Sequence, residues 1–326
     1  EEGNEFFLVT GGWKGSNSDD ACCGIKIKRF GQRAGPHFAA PFELIRDDYD
    51  IVICDLGHAV PWISPIILRK KHLVHFVHLH ARSLPGQVGR TLAMIIASIE
   101  RLYFIIYARS KFVTISETSK KDLIKLGIKE DRITIINPGV NRELFKPSEK
   151  TPYPSIVYFG GFRPYKRPEE SLYLLNDIKK KFPEAVLYIV GEGPSRHYLE
   201  KLVSDMNLKD NVILTGRLTD EKLAEIVAKA WLNVHTSVTE GWGISIIEAA
   251  SAGTPTVAYD VPGVSNSIEN YRNGLKVKDG DRKALLDAAI KIIEEHERWS
   301  LNSLEFSKKY SWDKAYELWK KIIFSN

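Results

Sequence analysis

One segment in the C-terminal half of the sequence has the pattern of a strand, a tight turn, a helix and a second strand. Residues 231–236 and 256–259 alternate apolar and polar side chains, as short strands do. Between them, residues 240–255 read EGWGISIIEAASAGTP, in which Gly241 and Gly243 permit a sharp turn and the final Gly-Thr-Pro ends a helix. A helix that joins two such strands is typical of the α/β class with a parallel sheet.

Two carboxylates, Glu240 and Glu248, lie eight positions apart on either side of this turn. The unpaired N–H groups at the start of the helix, near Ile244 and Ser245, form an anion site that suits a phosphate. Glu248 lies about one turn into the helix, where a carboxylate can accept two hydrogen bonds from the diol of a ribose. Taken singly, Glu240 could be a loop charge and Glu248 a residue favoured by the helix dipole. Their combination with two flanking glycines favours a ligand site.

This segment resembles the E-x7-E motif of a large family of retaining glycosyltransferases that includes bacterial mannosyltransferases and sucrose-phosphate synthases. The resemblance implies the GT-B fold, in which two doubly wound Rossmann-like domains with parallel sheets face each other across a cleft. It also implies transfer of a hexose from a UDP- or GDP-sugar to a glycan, lipid-linked or small-molecule acceptor, with neither a cofactor nor a metal ion. By this resemblance Glu240 would hold hydroxyls of the donor sugar and Glu248 the ribose. The rest of the motif would belong to the donor site, namely Gly241, Trp242, Gly243, Ile244 and Ser245.

Strands and helices alternate in both halves of the chain, which has 326 residues, 44% of them hydrophobic. Apolar runs predict strands at residues 6–10, 25–27, 50–54, 73–77, 112–115 and 133–136, and again at 155–159, 185–190 and 212–214. The alternation predicts a parallel, doubly wound sheet in each half.

Pro147, Pro152 and Pro154 interrupt any regular element between the two halves. We therefore predict an interdomain linker at this point. The predicted organisation is an acceptor-side domain at 1–146, a linker at 147–155, a nucleotide-sugar-binding domain at 156–306 and a C-terminal helix at 307–326. In similar enzymes this helix crosses back onto the first domain.

The loop after the first strand of the second half reads GGFRPYK, from Gly160 to Lys166. Loops at the carboxyl ends of parallel strands gather ligands, and cations there can neutralise a diphosphate. In the resembling enzymes an Arg and a Lys of this loop hold the donor phosphates, and Lys166 matches that Lys. Gly161 occupies the position of the Arg, so Arg163, two residues later, is either its substitute or a solvent-exposed charge.

Two further strand-then-glycine turns occur in the expected order. Gly191 follows one predicted strand, and the resemblance places Gly216, Arg217 and Leu218 in the loop whose backbone meets the nucleobase. The alternative is that these turns only connect a strand to a helix.

In the first half, His78 follows a predicted strand at the place where the family often has a His close to the transferred sugar. His75 and His80 are interpreted as ordinary strand or loop residues. A zinc site is excluded because residues i and i+2 share a strand face but no nearby acidic residue or Cys completes the coordination. Ser116, before the next predicted helix, is interpreted as an N-cap.

The net charge of +5 lies entirely in the first 150 residues. Within them, apolar residues recur at near-helical spacing over 90–111 among basic side chains and predict an amphipathic helix. This helix could pack on a core, which the spacing favours, or rest on an anionic membrane surface beside a lipid-linked acceptor. Nucleic-acid binding is not supported, because the charge excess is small and no aromatic–basic interleaving occurs.

Three cysteines, two of them adjacent, predict a reducing, cytosolic setting, and no apolar run is long enough to span a membrane. Residues 1–6 read like the end of a helix, so we expect the family's opening strand, glycine loop and helix to be absent from this sequence. The alternative is that 6–10 is the first strand and 11–15 a rewritten glycine loop. A sugar-nucleotide epimerase and an inactive nucleotide-sugar-binding protein are the two other functions considered.

Overall fold

The computed structural model describes residues 3–31, 35–45, 49–57, 60–82, 84 and 88–324. The chain forms two compact units. Unit 1 comprises Glu1–Ala81, Thr91–Thr114 and Asp122–Thr134, and unit 2 comprises Arg82–Arg90, Ile115–Lys121 and Ile135–Asn326.

Strands and helices alternate along most of the chain, as the sequence predicts, but three strands precede the first helix. Up to residue 135 they are β1 (Phe7–Thr10), β2 (Asp19–Cys22), β3 (Ile25–Arg29), α1 (Gly35–Leu44), β4 (Ile51–Leu56), α2 (Ser64–Ile67), β5 (Lys71–Phe76), α3 (Arg90–Glu100), α4 (Tyr103–Ile106), β6 (Lys111–Thr114), α5 (Glu117–Lys125) and β7 (Ile133–Ile135). The later elements are β8 (Ser155–Phe159), α6 (Glu169–Ile178), β9 (Val186–Val190), α7 (Arg196–Asp205), β10 (Val212–Gly216), α8 (Asp220–Lys229), β11 (Leu232–His235), α9 (Ile244–Ser251), β12 (Thr256–Tyr259), α10 (Val264–Ser267), β13 (Gly274–Val277), α11 (Arg282–Glu294), α12 (His296–Ser307) and α13 (Trp312–Phe324).

The N-terminal strands form two sheets. Strands β4, β5, β6 and β7 lie side by side in that order, and β4, β5 and β6 are parallel. The other sheet has the order β1-β3-β2, in which β2 and β3 are antiparallel. Cys23 and Gly24 turn this hairpin with φ angles of 54° and 80°, the combination that a two-residue type I′ turn requires. Strand β2 was not predicted, because its residues, DDAC, are polar or small.

The prediction for residues 90–111 was wrong in one respect. The segment is helical, but as two helices, α3 and α4, and of its aliphatic side chains Ile106 packs on the core whereas several others are exposed. Leu92, Ile95 and Ile105 are 48%, 51% and 57% exposed. The residues buried instead are Glu100 in α3 and two tyrosines, Tyr103 and Tyr107. Periodicity identified the helical structure but could not identify what covers each face.

Unit 2 contains a parallel sheet of six strands in the order β10-β9-β8-β11-β12-β13. The chain moves outward from β8 to β10, then returns to the other side of β8 with β11, so the order reverses between β8 and β11. Both faces of the sheet are buried under helices, and β8, β11 and β12 contain only buried residues. In such doubly wound sheets, ligands bind at the carboxyl ends of the strands beside this switch point.

The predicted N-cap at Ser116 is confirmed, and a second turn, at Asn137 to Gly139, also has a structural role. The Ser116 hydroxyl accepts a hydrogen bond from the backbone N–H of Ser119 at 3.1 Å, as an N-cap of α5 does. Asn137 donates to the carbonyl of Ile115. A Cβ on Gly139 would lie 2.1 Å from the backbone nitrogen of Trp312, the first residue of α13. Gly139 is therefore required where two backbones meet.

Candidate active site

The loops that follow β8, β9 and β10 pack backbone against backbone at one edge of the six-stranded sheet. Gly191 donates to the carbonyl of Gly216 at 3.0 Å, and Phe162 donates to the carbonyl of Glu192 at 2.9 Å. A Cβ on Gly191 would lie 1.9 Å from the oxygen of Gly160, and the φ of Gly191 is 142°. Close loop packing accounts for this glycine, so the structure supports a connecting role for the turn.

Beside them, at the switch point between β8 and β11, three polar side chains converge on one carboxylate oxygen. Glu240 Oε1 accepts hydrogen bonds from Lys166 Nζ at 2.6 Å and from the Ser237 hydroxyl at 2.6 Å. His235 Nε2 lies 3.2 Å from the same oxygen. The structure thus brings together two residues singled out in the sequence, Lys166 and Glu240, and adds two that were not.

The environment of Glu240 favours the ionised carboxylate. Burial alone would raise its pKa, but His235 and Lys166 outweigh that effect and hold the pKa of Glu240 below its usual range. Among the described residues, none donates a hydrogen bond to the second oxygen, Oε2. The side chain is therefore fixed through Oε1 while Oε2 keeps its capacity to accept hydrogen bonds.

Helix α9 begins at Ile244, as predicted. Its N-cap residue, Gly243, has a left-handed backbone with φ of 85° and offers no side-chain oxygen to the first N–H groups of the helix. A Cβ there would lie 2.9 Å from Ile246 Cδ1. The Ser245 hydroxyl lies 3.3 Å from His235 Nδ1, so His235 contacts both Glu240 and the start of α9.

Glu248, one turn into α9, is half-buried. Burial and the nearby Asp220 carboxylate raise its pKa to about 7. Asp220 begins α8, directly after the loop of Gly216 and Leu218, so Glu248 lies within electrostatic range of the loop predicted to meet the nucleobase.

The remaining donor-site candidates differ in how their side chains are placed. Trp242 is 2% exposed and packs edge-on against Tyr310, with 4.9 Å between ring centroids. Its side chain belongs to the core, and only its backbone can serve the turn. Arg163 and Arg217 are exposed, whereas Leu218 lines a cavity of about 330 Å³ between α8 and the sheet.

The side chain of Arg163 starts next to Gly161. A Cβ on Gly161 would lie 3.9 Å from Arg163 Cγ. Within the described part of the chain, no carboxylate pairs with Arg163. The Cγ atom of Arg163 therefore lies close to the position where the family carries its Arg.

His78 belongs to unit 1, two residues beyond the end of β5. Its ring lies against that of His80, with 4.8 Å between centroids. The buried Glu100 carboxylate accepts hydrogen bonds from the backbone N–H groups of His80 and Ala81, at 2.6 and 3.2 Å, and so fixes the segment that follows His78. Contact of His78 with a transferred sugar stays a prediction.

Comparison with known families gives this site a context. The sequence model described as "Glycosyl transferases group 1" matches residues 140–305, half of the chain. The chain belongs to the group 1 glycosyltransferases. A second model, "Glycosyltransferase Family 4", matches residues 1–144. The resemblance inferred from the E-x7-E segment is thereby confirmed.

Two curated relatives illustrate the range of the family. The poly(glycerol-phosphate) alpha-glucosyltransferase of Bacillus subtilis is 34% identical over 190 residues, which cover 57% of this glycosyltransferase and 28% of the Bacillus enzyme. The GDP-mannose-dependent alpha-(1-6)-phosphatidylinositol monomannoside mannosyltransferase of Mycobacterium tuberculosis is 25% identical over 309 residues, covering 88% of this chain and 80% of that enzyme.

Solved structures share the fold at lower identity. Sucrose-phosphate synthase from Thermosynechococcus elongatus superimposes with a TM-score of 0.77 at 20% identity, over 98% of this chain and 88% of that one. WaaG, a glycosyltransferase involved in lipopolysaccharide biosynthesis, gives 0.76 at 18% identity, over 94% and 89%. The predicted GT-B fold is confirmed.

Two features, a cluster of metal ligands and a membrane-spanning helix, are absent from the described residues. No group of three or more His, Cys, Asp or Glu side chains among them is arranged to hold a metal ion. In the same part of the chain, no helix has the length and apolar character needed to cross a membrane.

Proposed function

We propose that this chain transfers a hexose from a UDP- or GDP-sugar to an acceptor with retention of configuration. The observation that carries this proposal is the fixed carboxylate of Glu240 at the switch point between β8 and β11. Its Oε1 is held by Lys166 and Ser237, and its Oε2 is free to accept hydrogen bonds from the hydroxyls of a donor sugar. A preorganised acceptor of this kind orients a substrate without reorganisation during the reaction.

Cationic and dipolar groups near Glu240 would stabilise the departing nucleoside diphosphate. Lys166 has three N–H donors, of which one serves Glu240, so two remain for phosphate oxygens. Because Glu240 offsets much of the charge of Lys166, a second cation is needed, and Arg163 supplies it. The uncapped N–H groups at Gly243 and Ile244 add a third source of positive potential.

Glu248 would hold the ribose. Its carboxylate can accept hydrogen bonds from both hydroxyls of the diol. The raised pKa of about 7 means that the ionised side chain lacks good partners before a ligand binds. Ribose hydroxyls would provide those partners, so part of the binding energy comes from relieving an unfavourable burial.

We propose that no metal ion takes part, because Lys166, Arg163 and the start of α9 would together supply the positive charge that the leaving diphosphate needs. In this scheme, same-face attack by the acceptor follows departure of the diphosphate, whose oxygen accepts the acceptor's proton. An assay in EDTA tests this point: donor consumption that returns only with Mg²⁺ or Mn²⁺ would contradict it.

The acceptor is proposed to be lipid-linked or held at a membrane surface. Helices α3 and α4 expose Met94, Phe104 and Ile105 by 57%, 47% and 57%, and Arg101 and Arg109 are also exposed. An exposed apolar surface with basic neighbours suits an anionic bilayer.

Vesicle binding tests this surface. Wild-type protein should sediment with phosphatidylglycerol vesicles and not with phosphatidylcholine vesicles, and Ile105→Glu should weaken the sedimentation. Leu301→Glu is the matched control, since Leu301 is a 68% exposed side chain of α12. Equal sedimentation by wild type and Ile105→Glu would contradict this role.

Donor turnover tests the function itself. UDP-glucose and GDP-mannose are each incubated with wild type and with Glu240→Gln in EDTA, and nucleoside diphosphate and free sugar are measured with water as the acceptor. We expect wild type to release the diphosphate from one donor and Glu240→Gln to release much less. Conversion of the donor into an isomeric sugar nucleotide, with no diphosphate released, would instead identify an epimerase.

A further inference from the structure

We propose that Arg167 is a positioning residue for the donor site. It holds the loop that carries Lys166 against the loop that carries Glu240. The two catalytic candidates follow different strands, β8 and β11, and their 2.6 Å contact depends on how those loops are joined. This inference rests on the proposed function.

The guanidinium of Arg167 binds the second loop through its backbone. Nε donates to the carbonyl of Thr236 at 2.7 Å, and Nη2 donates to the carbonyl of Ser237 at 3.2 Å. In the opposite direction, the Thr236 hydroxyl donates to the carbonyl of Arg167 at 2.8 Å. Ser237 in turn donates to Glu240 Oε1. Arg167 is therefore one residue from Lys166 on its own loop and one hydrogen bond from the support of Glu240 on the other.

Two further contacts fix the guanidinium itself. Nη2 also donates to Asp279 Oδ1 at 2.5 Å, and Cζ lies 4.8 Å from the centroid of the Tyr259 ring. A planar guanidinium can meet two carbonyls, a carboxylate and an aromatic face at once, which a lysine ammonium cannot do with the same geometry.

The backbone of Arg167 indicates that this side chain is needed at its position. Its φ and ψ are 47° and 51°, in the left-handed region, which glycine adopts without penalty and other residues rarely occupy. Pro168 follows, and a residue before proline favours extended backbone. A strained non-glycine residue persists where surrounding contacts determine it, and such residues cluster at functional sites.

The same contacts would be expected if Arg167 only stabilised the fold. The test must therefore separate an effect on the position of Lys166 from an effect on the stability of the protein. Arg167→Gly suits this purpose, because glycine accepts the left-handed backbone while the guanidinium is lost. Arg282→Ala is the matched control. Arg282 forms a two-pronged ion pair with Glu170, at 2.8 and 2.6 Å, and contacts neither loop carbonyl.

Wild type and both variants are compared by kcat and KM for donor consumption, by Kd for UDP and GDP, by melting temperature, and by the Lys166 Nζ to Glu240 Oε1 distance in a crystal structure. For Arg167→Gly we expect kcat to fall about 100-fold, the effect of a displacement near 1 Å at a reacting centre. Lys166 serves the diphosphate in the proposed function, so Kd for UDP and GDP should rise, but by less than kcat falls, since Glu248 and α9 are untouched. The 2.6 Å contact should be lost. Arg282→Ala should keep the wild-type kinetic constants, nucleotide Kd and contact distance.

An Arg167→Gly crystal structure that retains the 2.6 Å contact would overturn the proposal. So would a parallel loss of kcat, nucleotide affinity and melting temperature, because it would mark a general loss of structure. If wild type consumes no donor at all, the proposed function fails, whereas the crystallographic distance still decides whether Arg167 positions Lys166.

Discussion

The protonation of Glu248 should control nucleotide affinity near neutral pH. In the free protein, burial and Asp220 raise the pKa of this carboxyl to about 7. Ribose hydroxyls donate to the ionised form, so binding lowers the pKa, and affinity must fall as the pH falls through 7. At pH 6 about a tenth of the side chains are ionised, which predicts binding about tenfold weaker than at pH 8, or about 1.4 kcal/mol.

Calorimetric titration with UDP and GDP between pH 5.5 and 8.5 measures this effect. The diphosphate also titrates near pH 6, so each Kd is compared with that of Glu248→Gln at the same pH. The ratio of the two constants removes the contribution of the ligand. A ratio that stays constant from pH 6 to pH 8 would refute the assignment of Glu248 to the ribose.

Three further predictions concern stability. The carboxyl of Glu248 has a pKa near 4.5 in the unfolded chain and about 7 in the folded one, so the unfolding free energy falls as the pH rises over this range. Glu248→Gln should therefore raise the unfolding free energy by up to about 3 kcal/mol at pH 8. An unchanged value in guanidinium unfolding would contradict this. Lys150 Nζ donates to two backbone carbonyls at the end of α8 and to Thr254 Oγ1. Lys150→Met should therefore lower the unfolding free energy by about 1–3 kcal/mol. Equal stability in the same assay would show that these acceptors find other donors. Gly139→Ala should lower the melting temperature and expose α13 to proteolysis, because its Cβ would lie 2.1 Å from the nitrogen of Trp312; wild-type resistance would argue against this packing.

Strands β8 and β9 were predictable from the sequence because they read as short apolar runs, and β11 and β12 because they flank the glycine turn, whereas β13, GLKV, was not predicted. The turn and helix around Glu240 and Glu248 were predictable for a local reason: glycines and helix boundaries lie within a few residues of the carboxylates. The C-terminal helix was predicted at 307–326, and the observed α13, Trp312–Phe324, lies within that range.

The rest of the site depends on contacts between residues far apart in sequence. Lys166 meets Glu240 across 74 positions, and no local pattern marks His235 or Ser237 as its neighbours. The one available signal for Arg167 was its place before Pro168 in a loop with two other cations. Trp242 was assigned to the donor site from its place in the motif, and only packing against Tyr310 reveals that its ring is buried.

The most direct test of the account is calorimetric titration of UDP, GDP, UDP-glucose and GDP-mannose into metal-free protein, with Glu248→Ala and with the exposed Glu297→Ala as control. We expect micromolar binding of one nucleotide and its sugar conjugate by wild type and by Glu297→Ala. For Glu248→Ala we expect a loss of about 100-fold, or about 3 kcal/mol for two hydrogen bonds to a carboxylate. Binding by no nucleotide, or equal binding by wild type and Glu248→Ala, would rule out a donor site at Glu248.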